Sequence, residues 1–206
     1  MNTVRLLGVV QLIVVVGAVI TERLLVSAVG SGSMSDMLVN ISNNLTRMRI
    51  SSLAALGQSV AIVVLGVLYY VVFGKEYKII SLVALGLFLA AAIILAVSKI
   101  GAYGLIPLSQ EFVEAGAPVP SYFQTLGDTL YHAVDRQGNN IFMLFTCLSF
   151  LLWNYLFYTS RVIPRALSVW ALVAICLLLI TVLLVLYNRD FRESPAMMLA
   201  IPYAPI

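Results

Sequence analysis

Five long apolar runs, at about residues 4–26, 50–73, 79–100, 140–159 and 166–187, leave this chain few ways to fold. A helix needs about 20 residues, rising 1.5 Å each, to cross a hydrocarbon core of roughly 30 Å. The runs meet that length, lack strand-type alternation and exceed a barrel strand, so helices are the only spanning solution. Composition agrees, because only 10% of the 206 residues are charged, against about 25% in a soluble domain. The expected fold is therefore all-α: a polytopic transmembrane helix bundle forming one domain over residues 1–206.

The first run needs separate treatment, because "MNTVRLLGVVQLIVVVGAVI" also has signal-peptide features, with "VSA" at 26–28 as a cleavage site. The run is long for a signal core and is followed by Glu22 and Arg23, so it reads as a first transmembrane helix. Its eleven Leu, Ile and Val residues between Leu6 and Ile20 favour insertion by about 3 to 7 kcal/mol. Two charges at mid-depth would cost about as much. Glu22 and Arg23 are thus expected at the far interface, or facing protein and water.

Short links, "GKEYK" at 74–78 and "SRVIPR" at 160–165, make their flanking helices antiparallel neighbours. The links after the first and third spans are long, 27–49 and 108–140, and the former holds a flexible "GSGS". One side of the membrane receives Arg5, Lys75, Lys78, Arg161 and Arg165 against Glu76 alone, while the other receives seven bases and eight acids. The raw basic count leans toward the second side. Much of it, however, lies at helix ends, in long loops or in the tail, so the N-terminus is placed in the cytoplasm. Tail residues "SPAMMLAIPYAPI" contain three prolines and cannot cross as a helix, so they lie along the surface or begin a truncated sixth span.

The segment 108–139 is the most polar stretch and is expected outside the cytoplasm. From Pro120, a favourable first helical position, Tyr122, Leu126, Leu130 and Val134 share one face, and Thr125, Asp128, His132, Asp135 and Arg136 another. This predicts an amphipathic surface helix around 120–136. Asp128 and Asp135 flank His132 at helical spacing and can approach one ligand, with Glu111 nearby. His132 reads as a proton acceptor or metal ligand, or else the stripe is an ordinary solvated face with local ion pairs. No second His or Cys has ligand spacing, so no metal site is predicted. Glu22, Arg23 and Lys99 belong to the same interface. A Glu22–Lys99 pair under the amphipathic helix competes with simple snorkelling of the long side chains to the interface.

Inside the spans, Gln11, Gln58, Asn154 and Thr181 are expected to hydrogen-bond between helices, and no ionisable residue is expected near mid-depth. Small residues Gly86, Ala90, Ala92 and Ala96 suit close packing of the third helix. Cys147 and Cys176 lie in apolar runs, away from polar ligands, and read as packing residues. GxSxG, Walker, HExxH and aspartate-rich motifs are all missing, and Ser109 beside Glu111 makes no triad. Scattered bases with a net charge of +3 give no nucleic-acid stripe.

Two motifs carry a family resemblance: Leu108, Ser109, Glu111, Ala115, Gly116, Pro118, Tyr122, Phe123 and Leu126, then Ile163, Pro164, Arg165, Leu167, Ser168 and Trp170. With these residues the chain resembles the bacterial membrane proteins grouped as domain-of-unknown-function family 4386, over most of its length. The resemblance implies a sixth helix, which this chain stops short of, and a bacterial inner-membrane location. Members carry Arg and Glu in the third helix where this chain has "LGLFLAAAIIL", so no role for that pair transfers. The resemblance implies no activity. In "SRVIPRALSVW" the residues themselves explain anchoring: Arg161 and Arg165 meet anionic headgroups, Pro164 starts a helix, and Trp170 sits near the interfacial belt.

These readings favour a non-enzymatic binding or accessory subunit of a larger membrane complex, with no cofactor beyond a bound lipid or other hydrophobic ligand. Expected partners are the bilayer, other membrane subunits or further copies of the chain. A small-solute transporter or channel using Glu22, Lys99 and His132 is the alternative. Acid–base chemistry by His132 and Asp128 on a lipid or quinone headgroup is a third reading.

Overall fold

The computed structural model describes residues 3–118 and 121–188, with side chains from Leu6 onward. Seven α-helices follow in order: α1 (Thr3–Val29), α2 (Met34–Asn43), α3 (Leu45–Phe73), α4 (Lys78–Glu114), α5 (Tyr122–Asp128), α6 (Gln137–Ser160) and α7 (Arg165–Tyr187). A π-helical segment, Thr129–Arg136, joins α5 to α6. No strand occurs among the described residues. Five stretches are long and apolar enough to cross a membrane: Leu6–Val29, Leu45–Phe73, Lys78–Glu114, Tyr122–Ser160 and Arg165–Tyr187. The protein is an all-α, multi-pass membrane protein. Arg5, Pro120 and the tail after Asn188, on which parts of the sequence reading rest, lie outside the described side chains or residues.

Three features of the long links differ from expectation, each for a local reason. The 27–49 link is mostly helical. Gly30 (φ 72°) and Gly32 (φ 125°) adopt left-handed backbone that turns the chain after α1. Ser33 then caps α2: the Ser33 N–H donates to Asp36 Oδ2 at 2.9 Å, and the Asp36 N–H to Ser33 Oγ at 3.3 Å. That capping box replaces the flexibility expected of "GSGS". Its hydrogen bonds to Ser33 hold the exposed Asp36 carboxyl below the usual carboxylate range.

The third span continues seven residues beyond Pro107, so 108–114 is helix rather than link. At 37 residues, α4 is about 55 Å long, well beyond the bilayer core. Packing explains the extension, since Leu105, Leu108 and Phe112 fall on one face and are all buried. Glu111 and Glu114 are exposed on the other.

The amphipathic helix around 120–136 is present, but it is not a separate element lying on the surface. From Tyr122 to Ser160 the helical chain is continuous, so this stretch runs without a break into the fourth span. It starts after Ser121, whose N–H donates to Gln124 Oε1 at 3.1 Å.

Contacts divide the chain into two compact units. Unit 1 comprises Met1–Gly8, Ile62–Ala92 and Asn140–Ile206. Its core is aromatic: Trp153, fully buried, stacks on Tyr69 with ring centroids 4.8 Å apart, and Phe157 meets Phe73 edge-on at 5.1 Å. Cys147 packs with Ile175, Leu178 and Val182, as a small apolar residue should, whereas Cys176 is exposed. Asn154 and Thr181 do not bridge helices. Each donates to a carbonyl four residues back in its own helix, at 2.9 Å, so the expected interhelical bonds are satisfied locally instead. Gly86 is also outside the packing, because a Cβ there would meet nothing within 4 Å.

Unit 2 comprises Val9–Ala61 and Ile93–Asn139. Its apolar core gathers Leu25, Leu38, Ile41, Met48, Leu105 and Phe112 among others, and Phe112 meets Phe123 edge-on at 5.7 Å. The side chain of Gln124 also ties α5 to α2 through a 2.6 Å hydrogen bond to Ser35.

Candidate functional site

Among the described residues, the buried charges Lys99 and Asp135 lie in unit 2. Their foundation is a pair of glycines in "KIGAYG", at 101 and 104. A Cβ on Gly101 would collide with the Leu130 carbonyl oxygen and approach the Asp135 nitrogen to 3.0 Å. Those two atoms are five residues apart, the spacing of a π-helical hydrogen bond. Gly101 thus lets the π segment rest directly on α4, backbone against helix. Gly104 does the same beneath the Leu130 side chain, and a Cβ on Gly138 would strike Ser98.

That close approach brings Asp135 against Lys99. The Lys99 ammonium donates to Asp135 Oδ1 at 2.8 Å, with the two side chains only 7% and 1% exposed. A charged pair this enclosed needs mutual compensation, because each charge alone carries a desolvation cost of several kcal/mol. Lysine snorkelling is therefore overturned for Lys99: its partner lies inside the protein. Two ionisable groups are thus buried within helices that are long and apolar enough to cross a membrane. The second carboxylate oxygen, Oδ2, is buried with no hydrogen-bond partner.

Arg136, next in sequence, makes a second network. It donates to Glu22 Oε1 and to the Tyr131 hydroxyl, each at 2.7 Å. Tyr131 and Arg136 are five residues apart, aligned by a π turn rather than by the three- or four-residue spacing of an α-helix. Glu22 is half-exposed while Arg136 is largely enclosed, so this pair leads from the surface inward. The expected Glu22–Lys99 pair does not form. Each residue finds an oppositely charged partner on the π segment instead, because the glycine contacts bring that segment closer.

Asp135 and His132 do not join one ligand group. Asp135 turns inward to Lys99, whereas His132 and Asp128 stay 43% and 57% exposed, with His132 Nε2 3.9 Å from Asp128 Oδ1. Glu111 and Arg23 are exposed and take no part in the ion pairs. Arg161, at positive φ (57°), Arg165 and Trp170 are all exposed in unit 1, Arg165 lying 5.8 Å from the centre of the Tyr158 ring.

The chemistry available is that of paired charge. Among the described residues no group of three His, Cys, Asp or Glu side chains is arranged to hold a metal ion. Tyr131, Gly101, Gly104 and Gly138 were not singled out from sequence. The glycine spacing was the readable signal for Gly101 and Gly104, and neither the lone Gly138 nor the π turn that recruits Tyr131 has one.

Comparison with curated proteins and with solved structures gives no match. The family model described as a domain of unknown function (DUF4386) matches residues 6–205, nearly the whole chain, and the chain belongs to that family.

Proposed function

We propose that this multi-pass membrane protein is a non-enzymatic binding or accessory subunit of a larger membrane assembly, with Tyr122–Arg136 as its binding element. The observation that supports this reading is the π-helical turn Thr129–Arg136, held by two ion pairs. Such turns are rare and are frequent at functional sites. Here the inner side chains are committed to each other, and Asp128 and His132 are the more exposed polar side chains of the turn, at 57% and 43%. The location proposed is a bacterial inner membrane, with the N-terminus cytoplasmic and the binding element on the opposite side. Arg161, Arg165 and Trp170 are proposed as interface anchors. Native mass spectrometry of the protein extracted in mild detergent tests the assignment. A stoichiometric complex with another membrane subunit, a second copy or a lipid is expected, and it weakens when Asp128 and His132 are replaced by alanine. A bare monomer contradicts it.

The Lys99–Asp135 pair favours a second reading, a small-solute transporter, because ionisable residues inside spans mark solute pathways. Solute flux into proteoliposomes that depends on both residues supports it; flux indifferent to both removes it. The acid–base reading of His132 and Asp128 required an enclosed pocket, and their exposure withdraws that support.

A further inference from the structure

We propose that Lys99 and Asp135 together hold a single hydroxyl group, which donates to Asp135 Oδ2 and accepts from the Lys99 ammonium. The pair has unused hydrogen-bonding capacity. Asp135 Oδ1 is engaged by Lys99 at 2.8 Å, while Oδ2 is buried and unpartnered. An ammonium carries three donors, and one Lys99 donor is spent on Asp135. A buried acceptor therefore sits beside spare donors on the same ion pair. Leaving such an oxygen unpartnered costs more than an ordinary hydrogen bond returns, and more still on a charged group.

Charge and size narrow the ligand. The pair is already neutral, so an added ion would leave net charge in a region shielded from bulk solvent. Arg136 does not compete, being committed to Glu22 and Tyr131. An uncharged group that both donates and accepts is required. A hydroxyl does so on one oxygen atom, which suits side chains exposed by only 7% and 1%. Ala102, Leu105 and Tyr131 belong to the buried core of the same unit, and a Cβ on Gly101 would approach the Asp135 nitrogen to 3.0 Å. Two sources supply this chemistry: a buried water, or the free hydroxyl of a neutral membrane lipid such as diacylglycerol. The proposal deepens the binding reading and rests on it for biological role, but its test reads one carboxyl group.

The full chain, with isotope-labelled aspartate carboxyls, is placed in phosphatidylcholine vesicles with and without diacylglycerol. Solid-state NMR then records magnetisation transfer from hydroxyl protons to the Asp135 carboxyl. Transfer is expected in the wild type and lost in the apolar double variant Lys99→Met/Asp135→Leu, which leaves no buried charge and keeps the other aspartates. Transfer in plain vesicles identifies water. Transfer only with diacylglycerol, matched by a lipid adduct in native mass spectra that the double variant loses, identifies the lipid hydroxyl. Absence of transfer in both vesicles, or the same signal persisting in the double variant, overturns the proposal. Asp135→Asn gives an independent assignment of the resonance. Neither overturning result touches the subunit complex that tests the binding reading, so the two failures are distinguishable.

Discussion

Unit 1 and unit 2 are both helical and apolar, yet they handle buried polar atoms in opposite ways. In unit 1 the deep polar groups are neutral. Ser149 donates to the Ala84 carbonyl at 2.7 Å, while Trp153 Nε1 and the hydroxyls of Ser81 and Ser168 have no partner. Cohesion there comes from stacked and edge-on rings. Unit 2 instead encloses a full ion pair and brings a second one to its surface, both on a π-helical turn. Packing alone does not call for charge in such a place, since apolar residues of similar volume often stabilise as well or better. The contrast is consistent with the proposed binding role of the charged unit and with a structural role for the aromatic one.

Mutations can break that contrast. The largest effects come from emptying either core. Asp135→Ala leaves Lys99 buried without a counter-charge and should cost about 3 to 5 kcal/mol. Trp153→Ala should cost a similar 3 to 5 kcal/mol through the cavity it opens. Detergent-denaturation curves measure both. The discriminating partner is Lys99→Met/Asp135→Leu, expected to be near neutral or more stable, which no substitution of Trp153 can match. Next comes Gly101→Ala, whose Cβ meets backbone of the π segment and should cost about 1 to 3 kcal/mol. Gly86→Ala, with open space around it, should instead stabilise by about 0.5 to 1 kcal/mol. Thermal unfolding of the two variants separates close approach from mere helix propensity. Glu22→Gln should change stability by less than about 1 kcal/mol, because Glu22 is half in solvent.

The smallest effect is a pH dependence confined to α2. Asp36 has a lowered folded-state pKa, so its capping contribution is present above the unfolded value and is lost as pH falls through the folded one. Amide exchange in Met34–Asn43 should therefore quicken in acid. Asp36→Asn should remove most of that dependence.

How much of this was readable in the sequence follows from what each feature depends on. Apolar length alone set the five spans, and the motif around Leu108–Leu126 set the family. Helix continuity through Pro107 depended on which face Leu105, Leu108 and Phe112 bury, a tertiary fact. Lys99 and Asp135 were both flagged, but their pairing depended on Gly101 allowing the backbones to touch. The π turn has no periodicity of its own to read. It separates Asp135 from His132 despite a spacing that promised one face.

The central claim is that Lys99 and Asp135 act as one unit, and a double-mutant cycle on detergent unfolding measures it most directly. Lys99→Met and Asp135→Leu each leave one buried charge unpaired, at about 3 to 5 kcal/mol, while the double variant is near neutral, so the cycle should give a coupling energy of about 6 kcal/mol or more. Additivity within about 0.5 kcal/mol would contradict the pairing and the site built on it.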